Sequence, residues 1–192
     1  MPESGGLPPS EIVKLAVQPG ESAFLVEARS NVGTIAFGTT EVRGHLRGAL
    51  HGTEVDLSEP PSTSLVLPVN SLTSGNALYD AEIHRRLNAQ RYPDITAELH
   101  SALALGDERF SVFGDLTIHD KPRPQHGTVE INTTRASENR PTIRMVVTGS
   151  MIVDIRDFDV ELPSALMLQI FPEATVSFRV TAVSDDFEEG DS

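Results

Sequence analysis

The sequence predicts an all-β protein, an antiparallel barrel carrying one short helix. Two observations predict it. Apolar and polar residues alternate over several long runs, most clearly at 110–118 and 143–155, and a period of two is the mark of a strand with one buried face. Runs longer than ten residues suit a barrel, whose strands tilt and coil around a common interior, better than a sandwich with tight turns.

The elements follow in order. Residues 1–10, rich in Gly, Pro and Ser, read as a flexible leader, and the acidic 185–192 as a solvated tail. Between them, 11–184 reads as one domain, with no fixed-period repeat. Strands are expected at Ser22–Ser30, Thr34–Gly38, Val42–Leu50 and Ser64–Val69. Others are expected from Ile95, at Phe110–Ile118, at Ile143–Ile155 and at Val176–Ala182, which makes about eight or nine. Gly114 and Gly149 fall inside two of them. Each fits a bend needed for barrel closure or close packing against a large neighbour.

One stretch breaks the pattern. Tyr79, Ile83 and Leu87 lie four apart, so a short helix is expected over 77–88. Asn76 is a suitable N-cap. Asp80 and Glu82 lie near the positive end of the helix dipole, and Arg85 and Arg86 near the negative end. Pro93 holds Tyr92 extended, so the helix stops before it. With a single apolar stripe it would cover one surface, an open end or a flank of the barrel. A second short helical turn is expected around 164–168.

Composition excludes several classes. The chain has 192 residues, enough for a core that needs neither disulfides nor a metal. With 15 basic and 28 acidic residues the net charge is −13, which repels nucleic acid and anionic membranes at long range. There is no Cys, hence no thiolate chemistry. No apolar run is long enough for an integral membrane segment. MPESGGLPPS lacks the charged and apolar regions of a signal peptide, so the expected address is cytoplasmic. Aromatic content is 5%, with no Trp, which is compatible with an unfilled interior.

No nucleophile elbow, zinc-protease helix or phosphate-binding glycine loop is present. Asp80 and His84 share a helix face but read best as a surface pair. No metal site and no catalytic residue are expected, and the chain is not expected to be an enzyme.

Three segments in order carry a likeness. They are VNSLTSGNALYDAEIHRRLNAQRYPDITAEL, FSVFGDLTIHDKPRP and MIVDIRDFDVELP. Together, over about 20–184, they resemble the YceI-like family, lipocalin-like barrels that bind polyisoprenoid chains. Asp120 and Asp159 stand where that family usually has Gly, and Ile155 where it has Arg. The resemblance implies an eight-stranded lipocalin-like barrel holding a polyisoprenoid, an isoprenoid quinone or a similar lipid. It implies no other cofactor. The interior candidates are Phe24, Val26, Leu65, Leu67, Leu116, Ile118, Met145, Val147, Met151 and Phe178, each serving core packing as readily as ligand contact. Tyr79, Ile83 and Leu87 would make the helix a cover near the barrel's opening. The expected partner is a lipophilic small molecule, with a homodimer through the barrel flanks left open. Two alternatives stand beside this reading. One is a cyclase- or isomerase-type enzyme using His45, His119, Asp157 or Asp159. The other is a solid-core barrel that binds a partner.

Overall fold

The computed structural model describes residues 9–136, 142–161, 164–165 and 168–184. Most of the leader and the whole acidic tail lie outside them. The strands are β1 (Glu11–Val17), β2 (Ala23–Ser30), β3 (Gly33–Thr39), β4 (Arg43–His51), β5 (Glu54–Asp56) and β6 (Ser62–Pro68). After α1 (Ala77–Arg86) come β7 (Asp94–Gly106), β8 (Arg109–Ile118), β9 (Lys121–Ala136), β10 (Thr142–Asp154), β11 (Ser164–Ala165) and β12 (Leu168–Ser184). Short 3₁₀ turns follow β6 and β10, at Val69–Ser71 and Ile155–Phe158.

The ladder runs β1-β4-β6-β7-β8-β9-β10-β12 and returns to β1, an eight-stranded antiparallel barrel closed on itself. β2 and β3 extend two of its staves. β12 pairs with β1 through Ala182–Ser184 and with β2 through Ile170–Arg179. β1 and β2 therefore behave as one interrupted strand, joined by an excursion over 18–22.

That join is stitched by buried polar groups. Ser22 and Thr181 are 0% and 1% exposed. The Thr181 amide donates to Ser22 Oγ at 3.0 Å, and the Thr181 hydroxyl donates to the Glu21 carbonyl at 3.1 Å. The Gln18 amide donates to the Thr181 carbonyl at 2.8 Å. Interruption of a strand exposes ladder groups, and these bonds satisfy them where water is excluded.

The two interior glycines have different reasons. Gly114 pairs with Leu99 beside a register shift in β7, and a side chain there would drive into the Glu98 carbonyl. Gly149 makes room instead: a Cβ on it would lie 2.8 Å from Phe178 Cζ.

β1, β5 and β9 were not expected as strands. β9 contains Pro122 and Pro124, which normally demote a segment to an edge. Both are tolerated because β10 pairs with β9 only from Thr128 onward, leaving the first half of β9 open on one side. The helical turn expected at 164–168 is corrected. Ser164–Ala165 pairs antiparallel with Leu168–Gln169 as a hairpin, and residues 166–167 lie outside the described set. Backbone pairing to the long β12 overrides a weak local helix signal.

Asn76 caps α1, its side chain accepting from the Leu78 amide at 3.0 Å. The helix ends earlier than Pro93 requires, because Asn88 turns into the left-handed region at φ 48°. Register places the C-terminal end of β6, the β8–β9 turn and the end of β10 together at one end of the barrel. There Val42, Val69, Leu72, Leu87, Ile118 and Phe158 are buried in one packed cluster. Asp120 and Asp159, the two family glycine positions, both adopt positive φ, at 56° and 54°. Asp tolerates this region better than most residues but pays a steric cost that Gly does not.

Two stability changes are expected by urea unfolding. Ser22→Ala strands the buried Thr181 amide and should cost about 1–3 kcal/mol. Asp120→Gly relieves a left-handed backbone and should be neutral to stabilising, by up to about 1 kcal/mol, where Gly→Ala-type reasoning on chain entropy alone predicts a loss.

Candidate functional site: an apolar barrel cavity

The middle of the barrel and the end away from the packed cluster hold a cavity of about 200 Å³. One water needs roughly 10–15 Å³ of such space, so this is far more than a packing defect. Its walls are almost wholly apolar. Small side chains contribute to the space. Gly48, Gly114, Gly127, Ala97 and Ala102 are among its lining residues. By register they share the inward face, with partners such as Val13, Leu99, Val112 and Leu116. At the packed end the corresponding places are taken by Leu67, Ile118, Val153 and Phe158. Large residues such as Leu46, Leu50, Phe110 and Met145 share the cavity walls, so small side chains widen the space without alone deciding where the barrel is hollow.

Six of the ten interior candidates line the cavity: Leu65, Leu116, Met145, Val147, Met151 and Phe178. The other four do not. Leu67 and Ile118 are buried in the packed cluster, 7% and 8% exposed. Val26 is partly buried against the core and does not line the cavity. Phe24 pairs with Phe178 across β2 and β12, the rings stacked side by side with centroids 5.4 Å apart and planes at 17°. Strand alternation missed Val13, Leu15, Val55 and Leu57, which complete the walls. They come from β1 and from the β5 region, where no strand was expected.

The helix is not a cover for this cavity. No residue of α1 lines it. Of the expected stripe, Leu87 is 7% exposed and joins the packed cluster, Ile83 packs against it half-buried, and Tyr79 is 39% exposed. Polar contacts hold the helix in place. Asp80 accepts from Thr73 Oγ1 at 2.7 Å, Ser74 Oγ at 2.6 Å and the Ser74 amide at 2.7 Å. The Ser74 bonds, above all, hold the Asp80 carboxyl below the usual carboxylate range. His84 Nε2 lies 2.9 Å from the Leu72 carbonyl. Arg86 donates to the Glu161 carbonyl at 3.0 Å. Asp80 and His84 are thus each engaged separately, and the described residues contain no cluster of three or more metal-ligating side chains.

None of the four residues proposed for an enzyme lines the cavity. His45 points outward and is exposed. His119 lies in the β8–β9 turn, its ring 5.0 Å from that of Tyr92. Asp157 and Asp159 sit at the 3₁₀ turn after β10, Asp159 paired with Lys121. The polar lining residues are others, among them Gln125, which shares the inward face with Gly114.

A sequence model of the YceI-like domain matches residues 22–182. The chain belongs to the YceI-like family. Solved structures agree with this YceI-like barrel in fold. Burkholderia cenocepacia BcnA is 16% identical with a TM-score of 0.68, covering 86% of this chain and 98% of its own. A polyisoprenoid binding domain from Saccharophagus degradans, implicated in plant cell wall breakdown, is 16% identical with a TM-score of 0.67, covering 91% and 100%. The Campylobacter jejuni YceI protein is 14% identical with a TM-score of 0.63, covering 80% and 86%. No curated protein sequence matches the chain. Among the described residues no helix is long and apolar enough to cross a membrane.

The wall of this YceI-like cavity is tied down at β5 by Asp56. Its carboxylate accepts from Ser10 Oγ, from the Ser58 amide at 2.9 Å and from Ser58 Oγ at 2.8 Å, with His51 Nε2 at 3.5 Å. The Ser10 bond, then those from Ser58, lower its pKa from 3.8 to about 2. A depressed carboxylate stabilises the fold above its unfolded pKa, and that contribution is lost as pH falls through the folded value. Hydrogen exchange of β5 amides should therefore accelerate as pH drops from about 4 to about 2 beyond the intrinsic pH effect. Asp56→Asn should flatten this dependence.

Proposed function

We propose that this YceI-like barrel binds a lipophilic chain in its cavity, a polyisoprenoid, an isoprenoid quinone or a similar lipid, for carriage, storage or sequestration. The observation that carries the reading is the cavity of about 200 Å³ walled by Leu65, Leu116, Met145, Val147 and Met151. A hydrocarbon chain has no hydrogen bonds to make. Its binding rests on shape and on burial worth about 0.8 kcal/mol per methylene. A site of this kind needs no polar motif, in keeping with a sequence that carries none. The polyisoprenoid binding domain from Saccharophagus degradans, with the same fold, supports the ligand class.

Two measurements test the proposal. Native mass spectrometry of gently extracted protein should show a lipid adduct, or uptake of added geranylgeraniol by the stripped protein. Val147→Phe with Met151→Phe fills the cavity, and should weaken that uptake by about tenfold or more while the far-UV circular dichroism stays unchanged. A protein that never carries or takes up an isoprenoid overturns the proposal.

A further inference from the structure

The inward face of β9 begins with three polar residues, Lys121, Arg123 and Gln125, and two of them are answered. Lys121 pairs with Asp159, and Arg123 donates to the Asp157 carbonyl at 2.8 Å. Both partners come from the segment after β10, at the packed end. Gln125 is the exception. It is half-buried and lines the cavity. Among the described residues its amide has no hydrogen-bond partner.

Register keeps that amide uncovered. Gln125 pairs with Gly114, which has no side chain to lay over it, and a Cβ there would drive into the Glu98 carbonyl. Gly127, the next inward residue of β9, is bare as well. Gly114 in turn pairs with Leu99, and Leu99 with Thr63. Thr63 of β6 and Gln125 of β9 therefore stand in one row of the sheet. Thr63 is half-buried, lines the cavity, and likewise has no side-chain partner among the described residues. Arg47, Glu98, Asp115 and His126 also border the cavity, but they alternate with inward residues and face outward. The apolar wall thus carries one polar row, and that row is uncharged.

An amide or hydroxyl left unpaired in apolar surroundings costs free energy that a bonded ligand oxygen returns. Thr63 and Gln125 can each donate to an oxygen and accept from a hydroxyl. A carboxylate or phosphate at this row would be desolvated with no counterion. We infer that Thr63 and Gln125 recognise a neutral oxygen of the ligand, a hydroxyl or a carbonyl, and hold it inside the barrel at their row. This rests on the binding reading above and adds to it, since an apolar cavity alone would take a bare hydrocarbon equally well. A site built to bond a hydroxyl rejects the analogue that lacks it, because its own groups are then left unpaired.

The test uses phytanol, phytanic acid and phytane, which share one carbon chain and differ only in the head. Each displaces geranylgeraniol from the full chain, read by native mass spectrometry. In the wild type phytanol should compete best, by about fivefold or more over phytane. Gln125→Leu and Thr63→Val, close in size to the residues they replace, should each lower the phytanol-to-phytane ratio by about threefold or more. The wild-type comparison needs neither variant to fold. Phytanol no better than phytane, or phytanic acid better than both, overturns the polar row and leaves the binding function standing. So does a ratio unchanged in both folded variants. No uptake of geranylgeraniol or of any of the three by the wild type overturns both.

Discussion

The change of partner along one edge of β12 is the constraint on which the rest of the barrel depends. A closed sheet has no free edge, but the ring closes only if a single long strand is paired along its whole length. β1 is too short to do this, and β2 takes over after a five-residue excursion. Such an excursion would ordinarily leave ladder donors and acceptors bare inside the wall. Ser22 and Thr181 supply the missing bonds from a side chain and a hydroxyl, in a setting with almost no solvent exposure. Without that substitution the strand pair would splay at the point where the barrel shuts, and both the packed end and the cavity would lose their common wall.

Closure also fixes where the interior is full. Because every stave is held in register, inward side chains cannot slide to fill space, and residue size contributes to the volume at each level. Leu67, Ile118, Val153 and Phe158 fill one end. Gly48, Ala97, Ala102, Gly114 and Gly127 leave the rest open. The Phe24–Phe178 stack lies along the inward face, where β12 pairs with β2. Gly149 is the accommodation on the neighbouring strand that lets the ring lie there.

Much of the fold was legible because alternation along β8, β10 and β12 is strong and their faces are one-sided. Ile152 and Phe113, on the outward faces, are 65% and 46% exposed, while Ile118 and Val153 on the inward faces are buried. β9 was illegible for the opposite reason. Lys121, Arg123 and Gln125 share the face of Val129 and Ile131, so one strand changes from polar to apolar along a single face, and two prolines mask its first half. β5 is three residues long, too short to show a period. Asp120 and Asp159 were visible as departures from the family pattern. Their meaning, a backbone in the left-handed region, required φ.

The cavity was harder to read than the fold, and the pair Leu65 and Leu67 shows why. They lie on the same face of the same strand, two residues apart, with the same side chain, yet one lines the cavity and the other is packed solid. The same holds for Leu116 and Ile118. Alternation reports which way a side chain points, not what stands opposite it. What stands opposite is decided by chain segments far away in sequence: the 3₁₀ turn carrying Phe158 and the residue after α1, Leu87, join Leu67 and Ile118 in the buried core, while Leu65 and Leu116 are only partly buried and line the cavity. The helix that looked like a lid is thus part of the plug at the filled end. Its effect on the site is indirect but physical. By packing one end it confines the empty volume to the other, and so gives an apolar chain a cavity with a floor rather than an open tube.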